Sequence, residues 1–521
     1  MMRVKFLSIL LATVWITATA DIIHRDDVNL DGATDVGDVN TVLGSLLDGT
    51  GDLARSDVNG DGMVDVGDVN AVLECILTGG HVEERTGYDF VWDYDQIPEV
   101  HLEVGVDDWN RLLLAYDADR LTKLYIPANL TFVQRGQVTR VDSIGLRIRG
   151  NGSRHRPEGK AGELHTAGST TWHSVGWGVN LRKYVKDEAH TLRGIRKIWL
   201  RYGYNEPTHV REMYCYRLYE EFGVKCVPRI TFCNVGIHVE GDEREANYGA
   251  FYILEPIDDR FLMDRSDFFG GSDGYLWKCG KGEADLKFKF DEMFGWDDNG
   301  EMDERPYVLK TNTSQFKQAK RQMSAFINNL VTLGEAEFHD WIATVTDVPL
   351  LLKTYAIMVA IGNWDDYWNN SNNYYLYFNS TNQSNYKVFF IPYDLDNTLG
   401  CSRIVGNVVD TGRHDPMNWG QEHNLLIARL MHHSDYRELY KGYLKELVNT
   451  PGALMDPATS MTRVAEWMAF IKPLFPNDLD RDNIIYDGPN PMSNIRDYRL
   501  TYGTDKENYF KVRKHVIDSI P

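Results

Sequence analysis

The chain has 521 residues, of which 43% are hydrophobic and 12% aromatic, so it is long enough for several folding units and too apolar for wholesale disorder. Its 76 acidic residues outnumber 55 basic ones, a formal charge of −21. This excludes general binding to nucleic acid or anionic membranes, which reward net positive charge, but leaves room for a local basic pocket holding a phosphorylated ligand.

Arg3 and Lys5 precede an apolar run from Phe6 to Ile16, and Ala18 and Ala20 stand at the small-residue positions of a cleavage site. Residues 1–20 therefore read as a secretory signal peptide, and no later stretch reaches the length of a membrane span. Export permits disulfides. The six cysteines, at 75, 215, 226, 233, 279 and 401, are too sparse for a disulfide-built scaffold, and Cys226 and Cys233 are spaced for one local bridge. No Cys-x-x-Cys occurs, which argues against a zinc ribbon or a thioredoxin-like redox site.

Two segments repeat at a spacing of 30 residues, DVNLDGATDVGD from Asp27 and DVNGDGMVDVGD from Asp57. Oxygen-bearing side chains recur at loop positions 1, 3, 5, 9 and 12. They are Asp27, Asn29, Asp31, Asp35 and Asp38, then Asp57, Asn59, Asp61, Asp65 and Asp68. Gly32 and Gly62 stand where the chain must turn tightly, and Ala33 and Met63 would offer backbone carbonyls. Calcium is a hard cation that takes six to eight oxygens, and carboxylates crowded this closely repel one another without it. Apolar residues after each loop keep helical spacing (Val39, Val42, Leu43, Leu46, Leu47; Val69, Val72, Leu73, Ile76, Leu77), so two helices are expected to bury these stripes against each other. The pattern, with Asp as last ligand, resembles the type I dockerin family over residues 24–80. That resemblance implies two bound calcium ions, a cohesin-type scaffold module as partner, and a bacterial protein that is secreted or held at the cell surface.

Residues 81–96 read as a polar linker, and the remainder, 97–521, as one large α+β body. Strands are expected at 100–104, 121–126, 130–134, 143–149, 198–200, 248–254 and 274–278, and helices at 107–114, 209–222, 316–330 and 349–361. Residues 150–177, rich in Gly, Ser and His, read as a mobile loop, and the acidic stretch 291–304 as a solvated one.

The most informative span is IGNWDDYWNNSNNYYLYFNS, followed by KVFFIPYDLDNTLG. If 374–378 and 387–391 pair as an antiparallel hairpin, Asn373 comes close to Asp394, with Asp365 or Asp366 on the adjoining loop. Such a carboxylate–amide–carboxylate cluster suits magnesium, which prefers oxygen and works alongside substrate phosphates, while a remaining Asp accepts a hydroxyl proton. No His-Glu-x-x-His or Gly-x-Ser-x-Gly supports a zinc or serine hydrolase.

From Ile97 onward the chain resembles the CotH family of atypical, secreted protein kinases. The resemblance is carried by GLRIRGNGSR (145–154), YGYNEPTHVREMYCYRLYEEFG (202–223), YGAFYILEPIDDRFL (248–262), GYLWKC (274–279), the 363–377 stretch and IPYDLDNTLG (391–400). It implies a kinase-like fold that uses ATP with Mg2+ or Mn2+ to phosphorylate Ser or Thr of a co-secreted protein acceptor. Carried over by position, Asp365 or Asp366 is the catalytic Asp. Asn373 and Asp394, assisted by Asp396, hold the metal. Arg149 and Arg154 contact phosphate, and Glu255 and Lys278 form a supporting ion pair near the nucleotide. The phosphate-anchoring lysine is unassigned, and the alternative is a non-catalytic kinase-like module within a cell-surface or polysaccharide-degrading complex.

Overall fold

The computed structural model describes residues 24–521 apart from 30, 49–52, 60–63, 81–87, 95, 205, 288, 298–304, 402–409, 421–423, 450–453, 481–483 and 489–497. The expected signal peptide, 1–20, and the second-loop residues Asp61 and Met63 lie outside the described residues.

The N-terminal unit contains α1 (Val36–Asp48), α2 (Leu53–Ser56) and α3 (Val66–Thr78). Its small core joins Val28, Val39, Val42, Val58 and Val72. Asp65 caps α3 by accepting the Gly67 N–H, Asp68 reaches back to the cap, and Gly79 ends the helix in a left-handed conformation. Only part of each expected apolar stripe is buried: Leu43, Leu47, Leu73, Ile76 and Leu77 stay exposed.

The linker expected over 81–96 is a linker only in part. α4 (Tyr88–Val91) and the residue after it carry Phe90, Val91 and Trp92 into the core of the following barrel. Asp93, with no exposed surface, accepts Arg55 at 2.5 Å and Arg135 at 2.7 Å, and so joins the N-terminal unit to the barrel.

The barrel comprises β1 (Glu99–Val104), β2 (Ile126–Gln134), β3 (Gln137–Arg149), β4 (Gly176–Asn180), β5 (Lys197–Arg201), β6 (Ile230–Val239) and β7 (Ala246–Leu254). They run in the order β1-β2-β3-β4-β5-β7-β6 and close through the parallel pair β1–β6. Along β2 buried residues alternate with half-buried ones, as a strand with one face in the core requires. The strands expected at 121–126 and 130–134 are one strand, beginning at Ile126. α5 (Val106–Ala118) packs Trp109, Leu112 and Leu113 into this core, and α6 (Arg211–Glu221) lies between β5 and β6 in the chain.

The second half begins with α7 (Asp259–Met263) and α8 (Ser266–Phe269) and contains a sheet of β8 (Tyr275–Cys279), β9 (Phe294–Trp296), β10 (Tyr307–Leu309), β11 (Tyr374–Phe378) and β12 (Val388–Pro392), ordered β12-β11-β8-β10-β9. Around it run α9 (Phe316–Thr332), α10 (Glu335–Val345), α11 (Val348–Ala360), α12 (Tyr367–Asn370), α13 (Leu425–His432), α14 (Ser434–Asn449), α15 (Pro457–Ile471) and α16 (Tyr509–Asp518). α11 is apolar on nearly every face because it is buried on nearly every face; Asp347 caps it by accepting the Leu350 N–H. Among the described residues no single helix is long and apolar enough to cross a membrane.

The stretch 150–177 is not a mobile loop. Arg156 pairs with Asp117 at 2.9 Å, Glu158 accepts the Trp109 indole N–H at 2.8 Å, Trp172 is buried, and the last two residues open β4. Its glycines and histidines conceal a buried polar framework. Cys226 and Cys233 form no bridge; both are buried free thiols.

Candidate active site

α11 ends at Ala360 with Ile361 as its cap, and Gly362 turns the chain at a φ of 66° where a Cβ would stand 2.5 Å from the Tyr509 hydroxyl. The buried Asn363 then accepts the Asp365 N–H at 3.0 Å. Asp365 Oδ1 accepts the side-chain amides of Asn370, at 2.6 Å, and Asn372, at 3.1 Å; Asn373 donates to the Asp365 carbonyl at 2.9 Å. Burial pushes the Asp365 carboxyl above its ordinary range, the two amides pull it back, and Asp394 adds repulsion. Asp366 has a different task. It is fully buried and caps α12 through the Asn369 N–H at 3.0 Å, and burial raises its pKa strongly.

β11 and β12 pair antiparallel with Tyr374 opposite Pro392, so Asn373 and Asp394 lie at the same end of the hairpin. Both are left-handed, φ 53° and 62°, a conformation that Asn and Asp tolerate better than most residues. Asp394 Oδ1 accepts Arg201 Nη2 at 2.5 Å, while Nη1 of the same guanidinium lies 3.0 Å from Glu212 and Nη2 lies 4.0 Å from Asp396. One cation from the last residue of β5 thus faces three carboxylates. Burial, then repulsion from Asp394, raises Asp396 well above the usual range; burial, opposed by Arg201, pushes Glu212 up to about 7.

The basic wall is built from β3 and β8. Arg149 stacks on Trp199, 3.4 Å from the ring centre, and donates to the Tyr393 hydroxyl at 3.1 Å. Lys278 is brought down to about 8, first by burial and then by Arg149 and Lys310, with Asp394 opposing. Two residues expected beside the nucleotide have partners of their own. Arg154 gives its guanidinium to the carbonyls of Arg120, Thr122, Ile148 and Gly150, which holds the loop. Glu255 pairs with Arg265 at 2.6 Å and Arg229 at 3.4 Å rather than with Lys278, because the end of β7 places it beside the cations of 229–265. The ion pair at this site is instead Arg201–Glu212, which sequence reasoning missed; its only signals were the charge that closes β5 (KIWLR) and an acid in the first turn of α6.

Among the described residues no three His, Cys, Asp or Glu side chains converge into a ready-made metal site. The donors present are nevertheless all oxygen, and Asp394 and Asp396 repel each other across a single arginine. This fits a divalent ion that takes one or two carboxylates and completes its shell from phosphates and water.

The N-terminal loops have a geometry of their own. In the first, Asp27 accepts the N–H groups of Asp31 and Gly32, Asn29 and Asp31 each accept one, and the unexposed Asp38 ties Asn29 N and Asp35 N at 3.0 and 2.9 Å. In the second, Asp68 makes the same two bonds, to Asn59 N and Asp65 N, at the same distances. Burial, then Asp38 and Asp31, raises Asp27 above the usual carboxylate range.

A barrel joined to a helix-rich half, with acidic and basic groups meeting around Arg201 and Asp394, is an α+β body. A family model described as CotH kinase protein matches residues 146–507, more than half of the chain, and the chain belongs to that family. Membership suggests an atypical kinase-like domain that works with ATP and a divalent metal. No curated protein matches.

Proposed function

We propose that this is a secreted bacterial protein kinase that transfers the γ-phosphate of ATP to Ser or Thr of a co-secreted protein. The observation that carries the reading is the shared neighbourhood of Asp365, Asp394, Asp396 and the Arg201–Glu212 pair. Asp365, its carboxylate oriented by Asn370 and Asn372, accepts the proton of the acceptor hydroxyl. Asp394, Asp396 and Asn373 hold Mg2+ or Mn2+, which when bound neutralises phosphate charge. Arg149 and Lys278 contact the phosphates. Arg201, braced by Glu212, fills the role of the unassigned phosphate-anchoring cation, and Asp366 supports the loop as a helix cap. The supporting test is a thermal-shift screen of nucleotides with and without each metal, followed by phosphate transfer to candidate partners.

The N-terminal unit is proposed to bind one calcium ion in each loop: Asp27, Asn29, Asp31, Ala33, Asp35 and Asp38 in the first, and Asp57, Asn59, Asp61, Met63, Asp65 and Asp68 in the second. In this dockerin-like role it anchors the protein to a cohesin-type scaffold, and the exposed Leu43, Leu47, Leu73 and Leu77 offer apolar surface to such a partner. A non-catalytic reading draws on one observation: Arg201 already occupies the Asp394 oxygen that a metal would need. Retention of nucleotide binding without any transfer would favour it.

A further inference from the structure

Arg149 closes β3 and Trp199 stands in β5, both in the barrel, while Tyr393 follows β12 and Lys278 lies in β8 of the second half. These four side chains meet. The Arg149 guanidinium lies over Trp199, 3.4 Å from the ring centre, and its Nη2 donates to the Tyr393 hydroxyl at 3.1 Å. Gly178 of β4 makes room for it: a Cβ there would stand 3.3 Å from Cδ of Arg149. The Tyr393 ring is buried, and Trp199 and Tyr375 meet it edge to face with ring centres 5.9 and 5.5 Å away. Register places Lys278 opposite Tyr375 in the β8–β11 pair, and its ammonium lies over the Tyr393 ring, 5.9 Å from the centre. The next residue is Asp394, whose N–H donates to the Tyr216 hydroxyl at 3.2 Å.

A long cationic side chain that its ligand must order loses rotamer entropy on binding, and one already held in place loses less. A guanidinium has five N–H donors, so one bond to a hydroxyl orients it without exhausting it. The face of a tyrosine attracts an ammonium at this range and leaves its charge intact, whereas a carboxylate in that place would cancel it. Tyr393 thus restrains two cations and neutralises neither. We propose that Tyr393 is a positioning residue: its hydroxyl sets Arg149 and its ring sets Lys278, so that the two cations meet a phosphate chain already oriented, one from the barrel and one from the sheet. This rests on the nucleotide reading above and adds to it the group through which the two phosphate contacts act together.

The experiment is a pair of double-mutant cycles on the full chain, read as affinity for Mg2+–ATP by calorimetry. Tyr393→Phe deletes the hydroxyl and keeps the ring. It should weaken binding about fivefold, the scale of one hydrogen bond, and have no effect in an Arg149→Met background. Tyr393→Leu also deletes the face and should weaken binding further; that extra loss should vanish in a Lys278→Met background. Equal weakening with and without the partner cation, or none in the wild type, overturns the assignment, because a residue that only supports the fold acts whichever cation is present. Arg149→Met binding as tightly as the wild type overturns it too. No binding of Mg2+–ATP to the wild type overturns the nucleotide reading itself and this assignment with it. If Tyr393→Leu fails to fold, the Tyr393→Phe cycle decides alone.

Discussion

The Leu399 N–H donates to the Ile361 carbonyl at 2.7 Å. This bond ties the segment after β12 to the end of α11. The acidic turn that begins at Asn363 and the Asp394–Asp396 corner are therefore neighbours, and Asp365 and Asp394 feel each other's charge, although about thirty residues separate them in the chain.

Replacing Asp394 with Ala removes the carboxylate nearest Arg201, and metal-dependent nucleotide binding should be lost in a thermal-shift titration. Asp365→Ala should spare that binding and lower transfer by roughly 10²- to 10⁴-fold, the usual worth of a positioned proton acceptor. Loss of both binding and transfer in both variants would contradict the division of roles.

Arg201→Met leaves Glu212, Asp394 and Asp396 without their shared cation. Breaking a buried ion pair from one side costs about 3–5 kcal/mol, read as a lowered denaturation midpoint. Glu212 adds a pH signature. Its folded pKa of about 7 lies above its unfolded value of 4.5, so its contribution to stability is present below pH 4.5 and lost as pH rises toward 7. Glu212→Gln should flatten that slope.

Lys278 titrates near 8 in the folded chain against 10.5 in the unfolded one. Between these values the unfolded chain holds the extra proton, so the stability of the unliganded protein should rise with pH across that window. Affinity for a metal–nucleotide should fall as pH passes 8 and the ammonium loses its charge. Lys278→Met should remove both trends; a profile unchanged by the substitution would sink this role.

Asp38→Ala deletes the side chain that closes the first loop onto Asn29 and Asp35. Calorimetry should record calcium uptake at the second loop only. The matching Asp68→Ala should do the converse, and uptake unchanged in both would refute the calcium reading.

Trp109→Ala opens a cavity beside Trp172 and Trp177 and takes one donor, at 2.8 Å, from Glu158, leaving it His165. A loss of about 3–5 kcal/mol is expected by chemical denaturation. A much smaller loss would mean that 150–177 is as loose as its composition suggests.

Local pattern carried the elements that are local by nature. The helix expected over 316–330 is α9 at Phe316–Thr332, and that over 349–361 is α11 at Val348–Ala360, because helix caps and apolar periodicity act within a few residues. The hairpin at 374–392 was legible for the same reason: two short runs rich in aromatic and β-branched residues flanked a polar turn. The stretch 150–177 misled because glycine, serine and histidine describe backbone freedom and not what Trp109 and Asp117 do from another element.

The chain by itself determined the repeated acidic loops, the Asn–Asp hairpin mouth and an α+β body, since each is written in residues a few positions apart. Only the tertiary structure decided which cation meets which acid. It gave Glu255 to Arg229 and Arg265, spent Arg154 on backbone carbonyls, and brought Arg201 to Asp394 across 193 positions. Charge pairing depends on distance through space, and barrel closure and sheet register set those distances.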